Sequence, residues 1–410
     1  MPDASDPLPY ATPNLPGVGG AMRQRPEDFF VQEIPLYDAS GEGDHLLFEI
    51  QKVGLTTREA IGRIARALGI SPRDVGYAGL KDRHAITRQH LTVPMKSGVD
   101  EERVMRLEVD DVIPQWADRH GNKLKMGHLA GNRFAVRLRE VDPMSVVRLR
   151  PILDRLEKDG LPNYYGEQRF GRDPHRPNDR LGMLLLRGDL RGFCDAYLGG
   201  DDGRPDVAEA RRRYDTDGPA AALEVWPENI RGERAVLEAL VKTGDPVAAV
   251  RTLDRKLRQL LENAAQSAVF NATVAERVDR GHLAQFVVGD VAIKHADDLR
   301  TSGRFLVDDV AAEQPRCEAW EISPTAPMPG GKIKPAPTGA AADMEAAVLD
   351  RLSVSARDFS RMPGERRPAR VRPIESKLSS GVDEHGGHIT VAFALPSGSF
   401  ATTLMRELTK

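Results

Sequence analysis

The sequence predicts an α+β fold, arranged as a discontinuous domain interrupted by a largely helical α+β insertion. Strand-like runs lie near the start, at Phe29 to Ile34 and His45 to Lys52, and near the end, at Ile389 to Leu395, whereas the middle is patterned for helices. Gly330-Gly331, Pro335 to Ala342 and Met362-Pro363-Gly364 interrupt the chain before that last strand. With 410 residues, 40% of them hydrophobic, there is material for one large core or two ordinary ones. The expected division is roughly 1–159, 160–370 and 371–410, the outer two pieces forming one domain.

The elements follow in order. Residues up to Gly20, rich in proline and glycine, read as a mobile tail. Phe29 to Ile34 and His45 to Lys52 read as a hairpin joined by the turn-forming run Asp38-Ala39-Ser40-Gly41-Glu42-Gly43. Thr56 with Glu59 three residues on makes a capping box, Ile61, Ile64, Ala65 and Leu68 share a helical face, and Gly69 supplies the stop. Pro72 blocks continuation, Val75 to Ala78 is a short strand, Gly79 allows a sharp turn, and Ile86 to Val93 alternates as a strand. Asp82 therefore falls on a turn between strands, where functional groups are commonly displayed. Met144 to Leu156 has helical periodicity with Pro151 as an expected break. Further helices are expected at Val207 to Tyr214, Glu233 to Val241 and Leu257 to Val278.

Composition narrows the function. A net charge of -3 argues against a uniformly basic coat, leaving local patches to be sought. Cys194 and Cys317 are the only cysteines, far apart, so neither a disulfide framework nor a cysteine zinc site is suggested, and a reducing cytosol fits. No cationic start followed by an apolar run and no stretch of bilayer length occurs, which predicts a soluble, unexported, cytoplasmic protein. There is no Walker loop, HExxH, CxxC, GxSxG or dinucleotide glycine fingerprint after a strand, so cofactor-free chemistry is the simplest expectation. His385 and His388 flank a Gly-Gly turn that nothing else marks as a metal site.

Within Tyr77-Ala78-Gly79-Leu80-Lys81-Asp82-Arg83-His84, one carboxylate sits among cations. Neighbouring positive charge can hold Asp82 ionised even in a partly dry pocket, and such an anion suits nucleophilic attack. From Arg119 to Arg139 there are six Lys or Arg residues and, apart from Phe134, little to interrupt a one-signed strip: Arg119, Lys123, Lys125, Arg133, Arg137 and Arg139. The strip suits a polyanion whose bases stack; a solvated strand face balanced by acids from elsewhere is the plainer alternative. Arg361, Arg366, Arg367, Arg370, Arg372 and Lys377 form a second cationic stretch. Asn163 to Gly171, with its aromatics, amide and glycines, reads either as a substrate-facing loop at the domain junction or as a structural turn. Leu395 to Thr402 reads as a loop capping a pocket, with Phe400 offering a flat face or simply filling the core.

Tyr77 to Thr87 resembles the signature of the TruD family of tRNA pseudouridine synthases. Agreement continues, in the family's order, at Arg25-Pro26-Glu27-Asp28-Phe29, Gly131-Asn132-Arg133-Phe134, Asn163 to Gly171, Ser267 to Arg277 and Leu395 to Leu408. The resemblance implies a pseudouridine-synthase catalytic domain carrying an inserted TRUD domain, and conversion of uridine to pseudouridine at position 13 of certain tRNAs. Carried over by position, Asp82 is the nucleophile and Phe29, Asn132 and Phe400 contact the target nucleotide. Phe134 matches a place where related synthases use Tyr beside the catalytic Asp, and Arg23 falls where the family tends to have a cation, a candidate partner of Asp82 along with the flanking Lys81 and Arg83. The region Gly199 to Lys256 departs from compact bacterial members.

An enzyme working at a glycosidic carbon in folded RNA must extrude the nucleotide and recover the unstacking cost by stacking and edge hydrogen bonds. Phe29 and Phe400 are suited to stacking, and Asn132 to reading the uracil edge or holding Asp82. A non-catalytic RNA-binding protein on the same fold is the alternative. A glycosidase is a third reading, needing a second carboxylate for which Glu27 or Asp28 is the nearest source.

Overall fold

A computed structural model describes residues 8–95, 98–171, 173, 176–200, 204–296, 299–331 and 333–410. Its organising element is a mixed sheet whose long strands run in the order Ile374–Asp383, Gly386–Pro396, Leu129–Arg139, Phe29–Pro35, Ile86–Pro94, His45–Val53, Val112–His120. Short strands Ala21–Met22 and Gly76–Tyr77 pair with Leu129–Arg139 and Ile86–Pro94. Both ends of the sequence thus supply one sheet. Neighbours are antiparallel except Phe29–Pro35 and Ile86–Pro94, which run parallel. This corrects the expected hairpin: Ile86–Pro94 lies between the two strands read as its arms. Residues Gln89 to Val93 are buried in succession, as in a strand covered on both faces, and such a strand needs a neighbour on each side.

Alternation along these strands builds one apolar face in two stretches. Phe29, Val31, Phe134, Val136, Leu138, Val391 and Phe393 pack beneath helices Leu149–Asp159 and Ala401–Thr409. Leu46, Phe48, Ile50, Leu91 and Val93 pack beneath helix Thr57–Leu68 through Ile61, Ile64 and Leu68. Where the two covers meet, the same face carries polar side chains at adjacent register positions: Lys52 opposite Thr87, Thr87 opposite Val31, and Glu33 opposite Asn132.

Helix Thr57–Leu68 has the expected capping box, with Thr56 Oγ1 accepting from the Glu59 amide and the Glu59 carboxylate accepting from the Thr56 amide, and it ends at Gly69 with φ of 69°. The break expected at Pro151 falls earlier, between a 3-10 turn Pro143–Arg148 and helix Leu149–Asp159. Pro151 occupies that helix's first turn, where the missing N–H costs no bond.

After helix Leu149–Asp159 the chain passes through Leu161–Pro162 and comes back to the large sheet through Arg370–Val371, and these two segments pair antiparallel. Between them come helices that include Asn178–Arg187, Leu190–Leu198, Ala208–Asp217, Arg231–Thr243 and Arg255–Asp279, and an antiparallel sheet ordered Thr301–Leu306, Val291–His295, Ile322–Met328, Glu365–Pro368. The Pro335 to Ala342 stretch is only half an interruption, since helix Gly339–Arg351 begins inside it on an alanine-rich run.

The expected tail is tied down from residue 8 onward, residues 1–7 lying outside the described part. Glu407, 1% exposed, accepts from the amides of Ala11 (2.6 Å) and Thr12 (3.2 Å) and from Thr12 Oγ1 (2.6 Å), while Val18 N–H donates to the Leu408 carbonyl and Arg406 lies 4.0 Å over the Tyr10 ring. A buried carboxylate needs donors, and the backbone at 11–12 supplies them. Glu407→Ala is expected to lower stability by about 2–4 kcal/mol in urea unfolding and to open the first twenty residues to protease.

Candidate active site

Asp82 rides on the turn between Gly76–Tyr77 and Ile86–Pro94, and that turn is anchored to the first turn of helix Thr57–Leu68. The Lys81 amide donates to Thr57 Oγ1 (2.9 Å), which itself donates to Gln89 Oε1 (3.0 Å). The Arg83 guanidinium pairs with Glu59 of the capping box. From the sheet below, Lys52 Nζ donates to the carbonyls of Asp82 (3.0 Å) and Leu55 (2.5 Å). Lys52 is fully buried. Desolvation brings its ammonium down from 10.5 to about 8, with Asp82 and Glu59 resisting the fall and Lys81 adding to it.

The Asp82 side chain is 55% exposed, so the partly dry pocket expected from sequence is not formed by the protein alone, and whatever binds must supply the desolvation. Its cation is Arg23, with Nη2 3.5 Å from Oδ2. The flanking Lys81 and Arg83 do not hold the carboxylate, because each is committed elsewhere. Lys81 turns into the sheet, donating to Asn132 Oδ1 (2.6 Å) and pairing with Glu33 (3.2 Å), with side-chain exposures of 6% and 1% across that ion pair. Burial raises the Glu33 carboxyl above its ordinary range, and Lys81 offsets only part of the rise.

Arg23 has φ of 57°, in the left-handed region, and its guanidinium lies 4.2 Å over the Phe29 ring. Phe29 is 2% exposed and Phe134 is 9% exposed; the two rings meet edge to face, and Phe134 stacks on Phe393. Both aromatics thus lie in the floor, with the Arg23 guanidinium over Phe29.

Phe400 is open, at 36% exposed. It precedes helix Ala401–Thr409, and its loop starts where Leu395 and Pro396 pair with Asn132 and Gly131. A Cβ at Gly131 would come 2.4 Å from the Leu395 carbonyl oxygen, so glycine is required for that approach. The Phe400 ring is 5.7 Å from that of Tyr165, which also carries the guanidinium groups of Arg367 (4.3 Å) and Arg169 (5.3 Å); Arg367 donates to the Gly398 carbonyl. The Asn163 to Gly171 loop therefore divides, Tyr164 entering the core and Tyr165 meeting Phe400.

The Arg119 to Arg139 strip does not surround Asp82. Arg133, Arg137 and Arg139 alternate to the face opposite Asn132 and Phe134. Arg133 pairs with Glu375 (2.8 Å), Arg137 with Asp383 (3.5 Å), and the buried Arg139 with Asp28 and Asp383 (both 2.7 Å). The plainer reading of a strand face balanced by distant acids holds for these three. Asp28, 0% exposed, is thereby removed as a second catalytic carboxylate. Of the second stretch, Arg366 is buried against Glu345 and Arg370 is buried over Trp320; Arg367 alone reaches the Phe400 loop through the contacts given above.

Sequence reasoning missed Lys52, Glu33 and Thr57 as parts of this site, and within the Asn163 to Gly171 loop it did not single out Tyr165. A signal existed for two of them: in Phe29-x-Val31-x-Glu33 and Phe48-x-Ile50-x-Lys52 a charge stands where the alternation calls for an apolar side chain. Among the described residues no three His, Cys, Asp or Glu side chains gather as a metal site, and no helix is long and apolar enough to cross a membrane.

This mixed sheet with its long insertion matches, over 98% of the chain, the crystal structure of a Methanosarcina mazei protein assigned to TruD, with a TM-score of 0.85, 26% identity and 95% of that chain covered. The class it defines is that of the pseudouridine synthases. The family model described as tRNA pseudouridine synthase D (TruD) matches residues 8–408. Curated relatives named tRNA pseudouridine synthase D are 43% identical in Geotalea daltonii (98% of this chain, 99% of the relative) and 41% identical in Geobacter sulfurreducens (98% and 96%). The chain belongs to the TruD family.

Two outcomes test the site's electrostatics. Glu33→Ala strands the Lys81 charge in a buried position and should cost about 3–5 kcal/mol of unfolding free energy. Because the native state releases the Lys52 proton near pH 8 and the unfolded chain only near 10.5, unfolded molecules bind more protons in between. The contribution of Lys52 to stability therefore rises with pH across that window, and chemical unfolding at several pH values should show a rise that Lys52→Met lacks.

Proposed function

We propose that this protein isomerises uridine to pseudouridine in tRNA, at position 13, with Asp82 as nucleophile on an extruded nucleotide, and that it works in the cytoplasm. The observation that carries this reading is one accessible carboxylate on a turn whose main chain is pinned from both sides, with Arg23 beside it, in a chain of the TruD family. Residues 1–159 and 371–410 make up the catalytic domain in this reading, and 160–370 the insertion.

Phe400 and Tyr165 offer ring faces to the flipped base and its neighbour, and Arg23 is placed to meet the nucleotide above Phe29. Asp82 then either attacks C1′ or removes the C2′ proton to give a glycal; in both cases the C1′–N1 bond breaks and the uracil turns in the site. C5 bonds to C1′, displacing the Asp82 carboxylate on the first route or with the proton returned to C2′ on the glycal route; C5 then gives up its proton and N1 gains one. Product and substrate are isomers, so the chemistry imports no electron pair or group. A binding-only role leaves the pinning of Asp82 without purpose and is disfavoured.

Unmodified tRNA transcripts incubated with the protein should gain pseudouridine at one position, read by carbodiimide-dependent reverse-transcriptase stops. Asp82→Asn should abolish the modification while tRNA binding persists; an active Asp82→Asn protein would remove Asp82 from the mechanism.

A further inference from the structure

Lys52 is fully buried and, unlike Lys81 with its Glu33, has no ion-pair partner among the described residues. Its stem leaves the strand on the face shared by Phe48 and Ile50, and its ammonium ends against two carbonyl oxygens, those of Leu55 and Asp82. A charge in such a place is costly to desolvate, and any neutral donor satisfies a carbonyl. What a neutral donor lacks is positive charge under the nucleophile's turn.

Resting on the reading of Asp82 as nucleophile, we propose that Lys52 is a positioning residue for the isomerisation: it fixes the Asp82 main chain from beneath and, in its charged form, favours the ionised carboxylate as RNA excludes water from above. The groups facing it are Asp82 and Lys81 on the turn and Glu59 on the helix; its cross-strand neighbour Thr87 is uncharged. Asp82 and Glu59 favour the ammonium, whereas Lys81 and burial oppose it. Its charge is therefore lost as pH passes about 8. The catalytic step slows on that limb.

The test compares the unaltered protein with Lys52→Met, measuring single-turnover pseudouridine formation and, separately, tRNA affinity, at pH values on both sides of 8. The unaltered protein should show a rate that declines above about pH 8 with affinity unchanged. Lys52→Met should be slower by on the order of 10²-fold at neutral pH, bind tRNA as before, and lack the alkaline decline. A Lys52→Met rate equal to that of the unaltered protein, or the same alkaline decline in both, overturns the proposal. If Lys52→Met does not fold, the unaltered protein decides alone: a rate level through pH 8 and above overturns the proposal, and a decline without loss of affinity supports it. Absence of pseudouridine with the unaltered protein would instead refute the function proposed for the whole chain.

Discussion

The site depends on holding the main chain of the Asp82 turn. A carboxylate more than half open to solvent has few side-chain neighbours to orient it, so its placement comes from the peptide units on which it rides. Those are secured by Thr57 accepting from the Lys81 amide, by Lys52 donating to the Asp82 carbonyl, and one residue on by the Arg83 pair with Glu59. Two of these partners belong to a single helical turn whose own geometry is set by the Thr56–Glu59 capping box. The start of one helix thus positions the Asp82 carboxylate on a turn more than twenty residues later. The arrangement leaves the carboxylate more than half exposed, with Arg23 beside it.

The floor of the site is built by spending charge in the interior. Lys52, Lys81 and Glu33 stand on or under the apolar face of the sheet, where isolated charges are unfavourable, and two of the three neutralise each other. Their presence interrupts the seam between the cores beneath helix Thr57–Leu68 and beneath helices Leu149–Asp159 and Ala401–Thr409. The polar gap between two hydrophobic covers is where the Asp82 turn lies. The second wall comes from the other end of the chain, since the Gly131 approach to Leu395 launches the loop bearing Phe400, and Tyr165 and Arg367 from the two crossings into the insertion close around it.

Cation runs show how far linear patterning can mislead. Arg133, Arg137 and Arg139 are neighbours of Asn132 and Phe134 in sequence, yet the two-residue period of the strand sends them to the opposite face, where Glu375, Asp383 and Asp28 meet them. Two of these acids are more than two hundred residues away. Arg23, by contrast, sits in no run and reaches Asp82 because a left-handed residue follows the short strand that pairs with Leu129–Arg139.

By itself the sequence determined what local chemistry decides: the capping box and glycine stop of helix Thr57–Leu68, the strands Phe29–Pro35 and His45–Val53, the turn carrying Asp82, and several insertion helices, each written in contiguous residues. The ordered motifs also carried the family likeness. Tertiary structure alone decided strand order, which put Ile86–Pro94 between supposed hairpin partners, and it decided which cation serves Asp82. It likewise buried Phe29 and Phe134 in the floor and recruited Lys52 and Glu33. These outcomes rest on pairings between distant segments, whose energies depend on burial and on partners that no local window contains.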